Sequence, residues 1–235
     1  MEILQIDGSV SLKRTVDGGT EEQRKAVQEI IAAVRKSGDQ AVKAYTEKFD
    51  SVSLDDFRVT QDEISEAYKT VSQNLVDIIT EAAGNIRTYH EKQLRPSWMT
   101  TEENGSILGQ KVTPLDSVGV YVPGGTAAYP SSVLMNVIPA KTAGVERIVM
   151  ASPPDRDGKL PAGVLVAADI AGVKEIYKVG GAQAIAALAY GTKTIKPVDK
   201  ITGPGNIYVA LAKREVFGDV AIDMIAGPSE IGILA

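Results

Sequence analysis

Apolar positions recur at helical spacing through the first hundred residues. Val27, Ile30, Ile31 and Val34 form one stripe. Ahead of it, Thr20-Glu21-Glu22-Gln23 fits a capping box, in which the Thr and Gln side chains each take up a backbone N–H of the first turn. Gly38 stops this helix, and Asp39 is placed to cap the next, which carries Val42 and Tyr45. Thr60-Gln61-Asp62-Glu63 is a second capping box, before Ile64, Ala67, Tyr68 and Val71. A longer stripe follows, with Leu75, Ile78, Ile79, Ala82, Ile86 and Tyr89, and it ends before Pro96. At 1.5 Å per residue this helix reaches roughly 35 Å. It is expected to extend past a compact domain and pack on a neighbour.

Beyond Asn104-Gly105 the pattern changes to short β-type runs. These are Val118–Val122, Arg147–Ala151, Glu175–Val179, Lys200–Thr202, Val220–Asp223 and Ile231–Leu234. The first four are each followed by a helix-like segment: Ser131–Ala143, Leu160–Ala171, Ala182–Ala189 and Ile207–Val216. The runs are almost continuously apolar, as strands covered on both faces should be. Repeated βα units of this size predict an α/β fold, a doubly wound and mostly parallel sheet. Ile107–Val112 is expected to pair antiparallel at its edge.

Composition follows the same division. Residues 1–104 hold 5 of the 22 glycines and 1 of the 11 prolines, with net charge −6; residues 105–235 hold the rest, with net charge +1. Two regions are expected: an N-terminal helical arm over 1–104 and a Rossmann-like unit over 105–235. The whole chain of 235 residues carries a formal charge of −5, which argues against a nucleic-acid surface. With no cysteine, disulfides, thiolate metal sites and cysteine nucleophiles are excluded. A single histidine, His90, leaves no multi-histidine metal site. No apolar run approaches the ~20 residues of a membrane span. The opening MEILQID lacks the basic and apolar regions of a signal peptide. A soluble, cytoplasmic protein is expected, with no membrane partner.

In open parallel sheets, ligands bind beyond the carboxyl ends of the strands. Three glycine-bearing loops stand there: Tyr121-Val122-Pro123-Gly124-Gly125-Thr126, Val179-Gly180-Gly181-Ala182-Gln183 and Thr202-Gly203-Pro204-Gly205-Asn206. Any one of them is an ordinary strand-to-helix turn. Three on one sheet edge favour a ligand site, with free N–H groups at helix starts suited to a phosphate. The pattern is non-standard for a dinucleotide, because there is no G-x-G-x-x-G and no acidic residue at the end of Arg147–Ala151. Ser229, in Ala226-Gly227-Pro228-Ser229-Glu230, has no histidine near in sequence, so a bond to a ligand or to its own loop fits it better than nucleophilic attack. Glu230 is a lone carboxylate, weak as a general base. His90 lies beside the apolar stripe of the long helix and reads as a packed, hydrogen-bonded residue; Trp98 reads as packing.

Taken with their surroundings, these loops resemble the histidinol dehydrogenase family. The resemblance runs through Val118-Gly119-Val120-Tyr121-Val122-Pro123-Gly124-Gly125, Tyr129-Pro130-Ser131-Ser132-Val133-Leu134-Met135 and Ile138-Pro139-Ala140. It continues through Gly180 to Leu188, Gly203-Pro204-Gly205-Asn206, Ile222-Asp223-Met224 and Ala226 to Glu230. The first half matches too, at Gly38-Asp39, Lys48-Phe49-Asp50 and Tyr89-His90. The resemblance implies an α/β fold related to aldehyde dehydrogenases, an incomplete Rossmann unit. It implies oxidation of L-histidinol through a bound aldehyde to L-histidine, with two hydride transfers to NAD, in a homodimer. By resemblance, Tyr121, Gln183 and Asn206 match NAD-contacting positions and Ser229 a substrate-contacting one. The family's zinc ligands and its Glu-His acid/base pair match no position before Ala235, and Ile231–Ala235 reads as a core strand. The chain is therefore expected to be the N-terminal part of such an enzyme, with its catalytic and metal residues elsewhere and no activity by itself. The alternative is an NAD-binding or oligomerisation module without chemistry of its own.

Overall fold

The computed structural model describes residues 18–124 and 128–225. Both capping boxes form. Thr20 opens α1 (Glu21–Ser37), its hydroxyl accepting from the Gln23 N–H at 3.2 Å while the Gln23 side chain accepts from the Thr20 N–H at 2.8 Å. Thr60 and Glu63 do the same at the start of α3 (Gln61–Thr70). Between them lies α2 (Asp39–Asp50). Asp39 does not cap it: Gly38 holds the cap position without a side-chain bond, and the Asp39 carboxylate instead accepts from the Thr194 hydroxyl at 2.9 Å.

The long helix α4 (Gln73–Glu91) has 19 residues, about 28 Å at 1.5 Å per residue, shorter than expected. It lies along α5 (Pro130–Thr142) and α6 (Ala162–Ala171), burying Ile79 and Ala83. Its inner face is thus used within this chain, while Ile78 and Tyr89 remain exposed. His90 is half-buried, its Nδ1 2.7 Å from the Gln93 side-chain oxygen.

Strands β1 (Trp98–Thr101) and β2 (Ile107–Gln110) pair antiparallel with each other, apart from the main sheet, and every residue in them is exposed. The edge pairing expected for Ile107–Val112 is therefore corrected. Its partner is the sequence-adjacent run across a tight turn at Asn104-Gly105, which closes far less chain than a return to the sheet would. Trp98 is likewise 55% exposed rather than packed.

The main sheet has five parallel strands in the order β5-β4-β3-β6-β7. They are β3 (Ser117–Tyr121), β4 (Arg147–Ser152), β5 (Glu175–Lys178), β6 (Lys200–Thr202) and β7 (Ala221–Ile222). Helices α7 (Gly181–Tyr190) and α8 (Ile207–Val216) complete the fold. Side chains alternate across the sheet. Tyr121, Val149, Ala151, Tyr177 and Ile201 enter one core with α1, α2, α7 and α8. Val118, Val120, Ile148, Met150 and Ile176 enter the other with α3, α4, α5 and α6. Both cores draw on residues from either side of Asn104-Gly105, so the compositional boundary does not separate two packing units. The predicted strand Ile231–Leu234 lies outside the described residues.

Candidate functional site

The chain runs outward from β3 to β4 and β5, then returns to β6 and β7 on the other side. The strand order therefore reverses between β3 and β6, where open α/β sheets hold ligands. A cleft of about 550 Å³ opens there. Tyr121 at the end of β3, Gln183 in the first turn of α7 and Asn206 at the start of α8 all line it, although 85 residues of sequence separate the first from the last.

Each of the three is held by its own element. Tyr121 is 3% exposed, and its hydroxyl oxygen accepts from the Gly181 N–H at 3.1 Å. Burial pushes its pKa up to about 12, with the nearby Asp50 charge adding to the effect against that hydrogen bond. The phenol stays protonated and keeps an O–H to donate. Asn206 is the N-cap of α8, its side-chain oxygen accepting from the Val209 N–H at 3.1 Å. Its amide N–H₂ is not used by that cap, and Asn206 lines the cleft. Gln183 is 1% exposed, and neither its Oε1 nor its Nε2 has a partner. An enclosed amide without partners costs roughly 1–3 kcal/mol, so the site carries hydrogen-bonding capacity that the protein itself leaves unspent.

Backbone fit depends on glycine at two points. Gly203 has φ +111°, and a Cβ there would overlap the Tyr121 carbonyl oxygen. A Cβ at Gly180 would collide with the Pro153 ring. The Gly203 peptide is also clamped. Lys213 Nζ donates to its carbonyl at 3.0 Å, its N–H donates to Asp223 Oδ2 at 2.9 Å, and Lys213 pairs directly with Asp223. Lys213 is 2% exposed, a buried cation neutralised by the carboxylate at the end of β7. The clamp joins α8, β7 and the loop that presents Asn206.

The other wall comes from the first half of the chain. Ala26 and Ile30 of α1 and Lys48, Phe49 and Asp50 of α2 line the cleft together with Pro153, Pro154 and Tyr208. Lys48-Phe49-Asp50 stood in the sequence as a run without a role. Their signal was faint because only tertiary packing carries the end of α2 to the strand ends. Ser229, Glu230, Gly125 and Thr126 lie outside the described residues. Among the described residues, no group of three or more His, Cys, Asp or Glu is arranged to hold a metal ion.

The family model described as histidinol dehydrogenase matches residues 13–235. The chain belongs to the histidinol dehydrogenase family. It is 69% identical over 235 residues to the histidinol dehydrogenase of Geobacillus kaustophilus, covering all of this chain and 55% of that protein. The Bacillus subtilis histidinol dehydrogenase is 66% identical over 237 residues, with 56% of its length covered. A crystal structure of histidinol dehydrogenase from Elizabethkingia anophelis superposes with a TM-score of 0.86 at 40% identity, over 90% of this chain and 49% of that one. The chain thus spans about half the length of the curated relatives it matches. The α/β fold with its parallel sheet is that of the family.

Proposed function

We propose that these residues form the dinucleotide-binding part of an NAD-dependent histidinol dehydrogenase, a cytoplasmic homodimer that oxidises L-histidinol through histidinal to L-histidine with two NAD. The observation that carries this reading is the cleft at the strand reversal, where Tyr121, Asn206 and the unpartnered amide of Gln183 converge. Membership of the family supports the substrate.

The donor set suits a dinucleotide. Tyr121 O–H and the Asn206 amide are donors toward hydroxyls, phosphates or a carboxamide, and Gln183 offers both a donor and an acceptor. The first turns of α7 and α8 turn free N–H groups and the positive end of the helix dipole toward the same edge, where a pyrophosphate is stabilised. When bound, NAD supplies the hydride acceptor. The residues described here hold and orient it, with Gly203 and Gly180 letting the backbone approach closely. Ser229 is assigned to contact with the substrate. Zinc and the acid/base pair are assigned to the part of the family length beyond these residues. Among the described residues, no cluster of ligands is arranged as a zinc cage.

The test is kinetic. In the protein at full family length, Asn206→Ala is expected to raise KM for NAD by about tenfold, the scale of one lost hydrogen bond, with a smaller change in KM for histidinol. Unchanged affinity for NAD removes Asn206 from the site.

A further inference from the structure

Among the described residues Asp50 is the one carboxylate in the wall of the cleft, and its placement is unfavourable on several counts. It is the last residue of α2, so its charge lies at the negative end of the helix dipole. It is half-buried, its Oδ2 is enclosed without a hydrogen-bond partner, and among the described residues it forms no ion pair. Burial raises its pKa to about 6. The cation two residues away, Lys48, lies over the Phe49 ring, its Nζ 5.3 Å from the ring centre, and is not paired with Asp50. The next residue, Ser51, takes φ +58°, the left-handed region that non-glycine residues rarely adopt. A packed fold has no use for a carboxylate so placed. Such a group is kept where a ligand satisfies it.

The surroundings narrow the ligand. Ala26, Ile30 and the half-exposed Phe49 ring form an apolar flank beside Asp50, suited to a flat heteroaromatic base. A carboxylate next to a base slot is complementary to the two adjacent hydroxyls of a ribose. In nucleotide-binding sheets that acceptor ordinarily stands at the tip of the second strand. Here that strand, β4, ends in Ala151-Ser152-Pro153, with no acid.

We infer that Asp50 accepts hydrogen bonds from the vicinal hydroxyls of the adenosine ribose, and so selects NAD over its 2′-phosphorylated form. The acceptor comes from helix α2 instead of the tip of β4. A 2′-phosphate would bring like charge against the carboxylate and remove one of the donors. This inference rests on the NAD reading of the cleft.

The experiment measures NADH and NADPH binding by fluorescence titration in the family-length protein, unaltered and as Asp50→Asn. The unaltered protein is expected to prefer NADH. The variant is expected to bind NADH about tenfold more weakly, the scale of a lost charge-assisted bond, and to bind NADPH no worse, so that the preference narrows. AMP should lose strength as a competitor of NADH in the variant, whereas nicotinamide mononucleotide should not. Removing a poorly placed charge should leave the melting temperature unchanged or higher. Asp50→Ser repeats the titrations if the asparagine variant melts early. Equal loss of NADH and NADPH affinity, NADH binding that the variant leaves intact, or a selective effect on nicotinamide mononucleotide overturns the inference while the NAD reading stands. No NADH binding by the unaltered protein overturns both.

Discussion

At the scale of single residues, the cleft is built from groups whose local chemistry is incomplete. Tyr121 spends its hydroxyl oxygen on the Gly181 N–H, Asn206 spends its side-chain oxygen on Val209, and Gln183 spends nothing. Asp50 carries a measurable consequence. Its folded-state pKa of about 6 lies above the ordinary 3.8, so the folded protein binds that proton more tightly than the unfolded chain does. Below pH ~3 both states are protonated and the group is neutral for stability. The penalty grows between pH ~3 and ~6 and is complete above that range. Asp50→Asn is therefore expected to raise stability at pH 7.5 by on the order of 1 kcal/mol, after allowance for partial exposure, and to have almost no effect at pH 3. Urea unfolding at the two pH values checks it, and an equal effect at both rules out the ionisation argument. Gly203→Ala should cost several kcal/mol, because both its φ and the overlap with Tyr121 must be relieved by moving backbone. Loss of NADH binding without loss of stability would mean that the loop shifts cheaply.

At the scale of elements, much was legible in the chain. The capping boxes at Thr20 and Thr60 form as read, and the strands at Val118, Arg147, Glu175 and Lys200 stand within a residue or so of their expected bounds. Local hydrogen bonding and apolar runs determine such features, and both are short-range. The misreadings were long-range. Asp39 left its cap for Thr194, Ile107–Gln110 paired with Trp98–Thr101 instead of the sheet edge, and α4 lay back along α5. The clamp of Lys213, Asp223 and Gly203 joins residues on α8, β7 and the β6–α8 loop, and no periodicity reports it. Lys213→Met leaves the Gly203 carbonyl and the exposed Asp223 carboxylate without their cation, while Asp223 keeps the Gly203 and Met224 N–H groups, and is expected to cost about 1–3 kcal/mol. Lys213→Met combined with Asp223→Asn should cost less than the single change, and denaturant midpoints decide it. Additive costs would show that the two side chains act separately.

At the scale of the whole molecule, the proposed function divides the work between these residues and the rest of the family length. The 235-residue chain is expected to form no NADH from histidinol and to retain no stoichiometric zinc after dialysis. Its described residues lack a metal cluster, and loss of positioning costs many orders of magnitude in rate. Stoichiometric zinc with measurable NADH would place catalytic residues within this chain after all. The β1–β2 ribbon exposes Trp98, Met99, Ile107 and Leu108, and α4 exposes Ile78 and Tyr89. That is apolar surface of the kind a partner covers, and it supports the proposed homodimer. Light scattering of the family-length protein is expected to give twice the chain mass, and a monomeric mass removes the dimer.

The sequence by itself determined most of the helices and the strands of the main sheet, the parallel α/β class, the glycine loops at the strand ends and the family resemblance. All of these are written in neighbouring residues, in local periodicity or in contiguous motifs. Only the tertiary structure decided that α1 and α2 close over the strand ends as the second wall of the cleft. It also decided that Gln183 is enclosed without a partner, that Lys213 holds Gly203, and that Asp50 faces Tyr121 across 71 positions of sequence. Burial and charge environment depend on what packs against a residue from distant parts of the chain, and a one-dimensional pattern holds no record of those neighbours.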